Sequence, residues 1–213
     1  MAHATRTAPI LETVLTTMNP DGSVNCAAMG VEWGEQRIVI KPYRGTRTLR
    51  NLQATGAAVV NVTDDILLFS QAALGDPHPP TRRASRIDGA ILDDACSWRE
   101  VRVEALDDHP PRARVSTLVV DRGTGREFLG LSRASHAVLE ASILASRARM
   151  LPPEDIAAEL GRLQVLVDKT AGPREREAME YVTRHVRAVI GASFERPDAA
   201  RRSRNAGPDA PRR

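Results

Sequence analysis

The chain opens with short apolar runs broken by turn residues and closes with long stretches of helical period. Residues 10–19 (ILETVLTTMN) are rich in Thr, Val and Leu, and Pro20-Asp21-Gly22 behind them is a turn signal. Residues 24–33 form a second apolar run, and Gly34-Glu35 separates it from a third over 37–40. This pattern predicts three antiparallel strands joined by tight turns. Between residues 44 and 55 the period changes: Leu49 and Leu52 lie three apart among polar residues, and Gly56 follows. A short helix with a C-terminal glycine is expected. Residues 57–63 (AAVVNVT) read as a buried strand, and Asp64 or Asp65 is placed to cap a helix over 66–74. Gly75 to Pro80 (GDPHPP) breaks the pattern, and 81–96 read as irregular. Two further strands are predicted over 98–106 and 113–121, separated by Asp107-Asp108-His109-Pro110-Pro111.

From Ser132 the period is 3.6. A helix over 134–149 would turn Ala137, Val138, Ala141, Leu144, Ala145 and Ala148 inward. Pro152-Pro153 opens a second, with Ile156, Leu160, Leu163 and Val167 on one face. Gly172-Pro173 opens a third, with Ala178, Tyr181, Val182, His185 and Val189 on one face. Six strands followed by three helices predict an α+β protein, a small antiparallel barrel with a C-terminal helical extension. The expected division is a barrel domain over 1–128, helices packed on it over 129–194, and a disordered tail over 195–213.

Charge changes the picture in one respect. The 213 residues hold 30 basic and 27 acidic side chains, a net charge of +3. Residues 195–213 contain six Arg against Glu195, Asp198 and Asp209, which is the whole excess. The remainder is neutral, so the basic pI describes the tail and not a nucleic-acid-binding face. With only two Trp, two Tyr and three Phe available for stacking, no specific nucleic-acid partner is expected. No run approaches 18 apolar residues, and Glu12 and Thr13 interrupt the only apolar patch near the start. Two cysteines, Cys26 and Cys96, cannot build a disulfide framework, and a cytoplasmic protein with free thiols is expected.

The densest set of polar and flexible residues is Lys41-Pro42-Tyr43-Arg44-Gly45-Thr46-Arg47-Thr48, between a predicted strand and a predicted helix. Cations and hydroxyls there meet a helix N-terminus, whose unpaired N–H groups and dipole favour an anion such as phosphate. The alternative is that Thr46 caps the helix and the arginines are solvated. Neither a GxxxxGK[ST] nor a GxGxxG motif is present. On the second strand, Asn25-Cys26-Ala27-Ala28-Met29-Gly30 combines small residues that leave the sheet thin enough for a flat ring, or for tight barrel packing. The five His are scattered without zinc spacing, Asp64-Asp65 and Asp93-Asp94 read as caps, and no metal is expected. No GxSxG elbow supports a hydrolase. Glu140 and Arg147 share a helix face near Arg133, which suits an ion-pair set or a substrate contact.

The segments ILETVLTTMNPDGSVNCAAMGV, IKPYRGTRTLRNLQATGAAVVNVTDDILLF and RASHAVLEASILASR together resemble the split-barrel family of unknown function 447, over roughly residues 9–190. The resemblance implies an FMN-binding split barrel related to flavin reductases, a homodimer, and an oxidoreductase acting on a nicotinamide, a pterin or another flavin. It also implies a link to tetrahydromethanopterin-dependent one-carbon metabolism. A non-enzymatic flavin-binding or scaffold protein of that pathway is the alternative. By position it would set Ala28, Met29 and Gly30 against the isoalloxazine, and Lys41 and Pro42 at the ring or ribityl chain. Arg44, Thr46, Arg47 and Thr48 would lie on the phosphate. Where the family commonly reads Asn-Arg-Ala, this chain has Ser132-Arg133-Ala134, which keeps the Arg and loses the amide.

Overall fold

The computed structural model describes residues 8–110 and 112–191, in two compact units that divide between Gly130 and Leu131. The expectation of a disordered tail over 195–213 lies outside the described residues.

The first unit is a closed six-stranded antiparallel barrel. Its strands are β1 (Ile10–Met18), β2 (Val24–Glu32), β3 (Arg37–Ile40), β4 (Ala57–Val62), β7 (Ser97–Asp107) and β8 (Arg114–Thr124), in the order β1-β2-β3-β8-β7-β4. The β1–β4 pairing closes it, with Leu15 opposite Val60. These are the six strands that the apolar runs predict. The β1–β2 hairpin keeps one register from Ile10↔Glu32 to Met18↔Val24. Its turn is held by Asp21, whose Oδ1 accepts from the Ser23 N–H at 2.9 Å.

Leu15, Val31, Ile38, Ile40, Val60, Val101 and Val115 fill the barrel, and Leu49 and Leu52 of α1 (Arg47–Thr55) join them. The two leucines three apart thus fix α1 to the barrel, each contributing on the order of 2 kcal/mol by burial. Gly56 is the α1 C-cap, its N–H bonded to the Leu52 carbonyl, as the sequence predicts. Asp65, and not Asp64, caps α2 (Ile66–Leu74), accepting from the Leu67 and Leu68 N–H groups at 3.1 Å. Asp64 instead pairs with Arg126 and accepts from the Leu129 N–H at 3.0 Å, anchoring the segment behind β8.

Residues 81–96 are not irregular. β5 (Thr81–Arg83) and β6 (Ala90–Leu92) form a small hairpin, and Ala90, Ile91 and Leu92 are buried. Long-range polar contacts hold it. Thr16 Oγ1 donates to the Ala90 carbonyl at 2.5 Å, and the Leu92 N–H donates to Asn61 Oδ1 at 3.0 Å. The fully buried Glu100 carboxylate accepts from the Ser85 N–H at 2.8 Å and the Arg86 N–H at 2.7 Å, while the Ser85 hydroxyl donates to Asp121 Oδ2 at 2.5 Å. Three-residue strands carry no readable period, and their anchors lie far away in sequence.

The second unit contains α3 (Arg133–Ala145), α4 (Pro153–Thr170) and α5 (Pro173–Ile190), all three in mutual contact. Ile156, Leu160, Leu163 and Val167 are buried as their spacing predicts. α3 stops at Ala145, four residues before the predicted end. Beyond it Arg147 and Ala148 make tighter bonds to the Leu144 and Ala145 carbonyls. On α5 the buried stripe is Ala178, Met179, Val182 and Val186, rotated from the predicted face, so Tyr181, His185 and Val189 are only half-buried.

Candidate functional site

The β3–α1 junction carries the polar set that the sequence singles out. Pro42 is buried, whereas Tyr43, Arg44, Gly45 and Arg47 are exposed. Gly45 takes φ +75°, a conformation that side-chain-bearing residues rarely adopt, and this lets the chain turn into α1. Thr46 is the N-cap: its Oγ1 accepts from the Leu49 N–H at 3.3 Å and donates to the Tyr43 carbonyl at 2.8 Å. The capping alternative is therefore what the Thr46 side chain does. Among the described residues, the Arg47 and Thr48 N–H groups have no acceptor, the ordinary condition of a first helical turn.

The cations at the junction are paired. Arg44 Nε donates to Asp108 Oδ1 at 2.9 Å, and Arg47 pairs with Asp76. Both guanidiniums are about half exposed, so each pair contributes little and exchanges readily. Thr48 points inward. Its Oγ1 accepts from Asn25 Nδ2 at 3.2 Å, and Asn25 Nδ2 and Asn51 Nδ2 both reach Thr17 Oγ1, at 3.1 and 3.0 Å. This buried network ties the start of α1 to β1 and β2.

β2 supplies the neighbouring surface. Ala27, Met29 and Val31 share the barrel-interior face, and Met29 packs on the core. Ala28, Gly30 and Glu32 share the outer face. Ala28-Met29-Gly30 therefore divides: two small residues lie outside, and one large residue points in. A Cβ at Gly30 would stand 2.9 Å from Glu12 Oε1 and 3.1 Å from Ile10 Cγ2, so glycine lets the Glu12 carboxylate lie across the strand. Lys41 pairs with Glu32 across this outer face, and Arg114 Nη2 reaches the same carboxylate at 3.1 Å. The Lys41 hydrogen bond, ahead of Arg114, holds Glu32 below the usual carboxylate range.

Ala28, Gly30 and Lys41 thus share a surface strip. Burial pushes the adjacent Cys26 thiol up to about 12, so it is a protonated packing residue at neutral pH. The carboxylates Glu12, Glu32, Asp76 and Asp108 were not among the predicted residues. An isolated acid in sequence gives no sign of which cation it will meet.

Arg133 and Glu140 lie on α3 of the second unit, both exposed. Among the described residues no ion pair joins Arg133, Glu140 and Arg147, and Arg147 falls beyond the helix, which removes the shared face expected for it. Ser132 Oγ caps α3, accepting from the Ser135 N–H at 3.2 Å.

Residues 11–126 match the N-terminal domain described as "Protein of unknown function (DUF447)", and residues 132–184 match a second domain of that description. The chain belongs to the DUF447 family. Its fold is similar to that of the FMN-bound DUF447 protein MM1853 from Methanosarcina mazei. The TM-score is 0.76 at 21% identity, over 84% of this chain and 95% of that one. It also matches the flavoredoxin of Methanosarcina acetivorans, at TM-score 0.48 and 13% identity over 61% of this chain and 77% of that one. A third match is nitrilotriacetate monooxygenase component B of Bacillus cereus, at TM-score 0.47 and 17% identity over 58% and 72%. The six-stranded barrel of this DUF447 chain is of the split-barrel type, within an α+β molecule. Among the described residues no helix is long and apolar enough to cross a membrane.

Proposed function

We propose that the chain is an FMN-binding oxidoreductase. The observation that carries this reading is the junction of two surfaces. A thin outer strip, Ala28 and Gly30 flanked by Lys41, suits a flat ring, and the nearby first turn of α1 offers two N–H groups and two exposed arginines to a phosphate. Family membership and the FMN in the related M. mazei protein support it. The residues fit the group with one adjustment. Thr48 would serve through its N–H, because its hydroxyl is held in the buried network.

When bound, FMN supplies two-electron transfer. The chain's own residues bind and orient it. Arg44 and Arg47 would exchange carboxylate partners for phosphate oxygens, Thr46 holds the helix end in place, Pro42 shapes the turn, and Lys41 sets positive charge at the ring's border, steadied by Glu32. Met29 acts from behind the strand, as core packing. Cys26 takes no part as a nucleophile.

A homodimer is the proposed assembly, supported by the family resemblance and by exposed apolar side chains on the barrel unit, among them Ile10 and Leu118. The proposed compartment is the cytoplasm, where the two free, buried thiols would stay reduced. The proposed substrates are a nicotinamide, a pterin or a second flavin. A tetrahydropterin of one-carbon metabolism is the pterin to test first, on the family resemblance alone.

The deciding experiment purifies the chain, identifies any bound chromophore by mass and visible spectrum, and adds NADH, NADPH or tetrahydropterin anaerobically. Bound FMN that bleaches at ~450 nm, the flavin band, supports the oxidoreductase. FMN that none of the three bleaches points to the flavin-binding scaffold, and a protein that takes up no FMN overturns the reading.

A further inference from the structure

Arg99 has an unusual setting. It lies on β7 directly opposite Val60 of β4, and Val60 with Val101 belongs to the barrel core, so Arg99 is on the interior face of its strand. Across the other edge it stands directly opposite Arg122 of β8. Like charges directly opposed on one face are unfavourable. Burying part of a guanidinium costs free energy that a carboxylate partner would offset. Here Arg99 Nη1 donates to the Trp98 carbonyl at 2.8 Å, and the guanidinium stacks 5.1 Å from the Trp33 ring centroid. These two contacts leave most of its five donors unused.

Among the described residues, no carboxylate pairs with Arg99 or Arg122. The acids next to them in the strands are already engaged: Glu100 by the Ser85 and Arg86 N–H groups, and Asp121 by the Ser85 hydroxyl at 2.5 Å and the Arg122 backbone N–H at 2.9 Å. Burial, and then the Arg122 charge, pull the Arg99 guanidinium below its usual value. A half-buried arginine on an indole thus faces an exposed arginine across the strand pair, and among the described residues no carboxylate balances either.

We propose that Arg99 and Arg122, with Trp33 as one wall, form a second oxyanion site that takes the phosphate or carboxylate group of a small-molecule ligand. Planar guanidiniums suit bidentate binding of either group, and one bound dianion would convert the opposed pair from repulsive to bridged. The site is separate in sequence and strand from the β3–α1 junction and does not depend on the FMN reading.

The test is isothermal titration calorimetry on the full chain with FMN in excess. Inorganic phosphate and malonate are titrated separately at constant ionic strength in chloride. Saturable binding of either is expected, phosphate alone marking a phosphoryl ligand and malonate alone a dicarboxylate. Arg99→Gln and Arg122→Gln should each weaken it at least tenfold, Arg122→Lys, which keeps the charge and loses the planar fork, should bind more weakly than wild type and more tightly than Arg122→Gln, and Arg47→Ala should leave it unchanged. Arg122 is exposed, so its variants keep the fold, as circular dichroism would check. No saturable binding of either probe overturns the proposal. So does binding that survives both glutamine variants, or that is lost only in Arg47→Ala, which would place the anion at the β3–α1 junction.

Discussion

Thr46 and Thr48 show how neighbouring hydroxyls divide labour. Thr46 ends the turn and caps α1, so Thr46→Ala should cost about 1 kcal/mol, read from denaturant unfolding. Asp76 competes with any anion for Arg47. Removing it should free the cation: Asp76→Asn is expected to tighten FMN about two- to threefold, the scale of an exposed ion pair, and to leave riboflavin unaffected. Equal effects on both ligands would locate the phosphate elsewhere. Cys26 makes a pH prediction. Its folded pKa lies near 12, above the unfolded value of 9.0, so the folded state holds its proton more tightly. The stability this gives is complete below pH 9 and falls as pH rises toward 12, by at most ~1.4 kcal/mol per pH unit. Urea titrations between pH 8 and 11 should show that slope, and Cys26→Ser should flatten it, leaving the contribution of Cys96, which burial also raises.

At the scale of elements, the β5–β6 hairpin depends on one carboxylate. Glu100 is fully buried and accepts two backbone N–H groups, from Ser85 and Arg86. Glu100→Ala would leave those donors unmatched, at a cost of roughly 2–4 kcal/mol, and should release the 84–89 segment to proteolysis. If limited digestion cuts wild type and variant alike, the carboxylate does not hold the hairpin. α1 is tied twice, by Leu49 and Leu52 in the core and by the Asn25–Thr17–Asn51 network. The proposed anion site at the start of α1 is therefore a rigid platform, with only its exposed arginines free to change partners.

For the whole molecule, assembly is the open quantity that a single measurement reads. The 23.2 kDa chain should scatter light as a species of twice that mass when loaded with FMN. A monomeric FMN-loaded form would remove the proposed interface.

The strands and helices were largely legible in the sequence because their causes are local: apolar runs bounded by turn residues, a cap at Asp65, a glycine at 56, leucines at helical spacing. The β3–α1 segment stood out for the same reason, since its cations, hydroxyls and glycine are contiguous. The sequence could not say how those groups are engaged. Whether Thr48 faces a ligand or a buried amide depends on Asn25, 23 residues away, and whether Arg47 is free depends on Asp76, 29 residues away. The 81–96 hairpin escaped because it is held by Thr16, Asn61 and Glu100 and by no period of its own. The Arg99–Arg122 pair escaped for a related reason. Only strand register brings two arginines 23 positions apart onto one face. Sequence alone determined which segments are strands and helices and where chemistry is concentrated. Tertiary structure decided which charges meet, because a side chain's partner is set by the closing of the barrel and not by its neighbours in the chain.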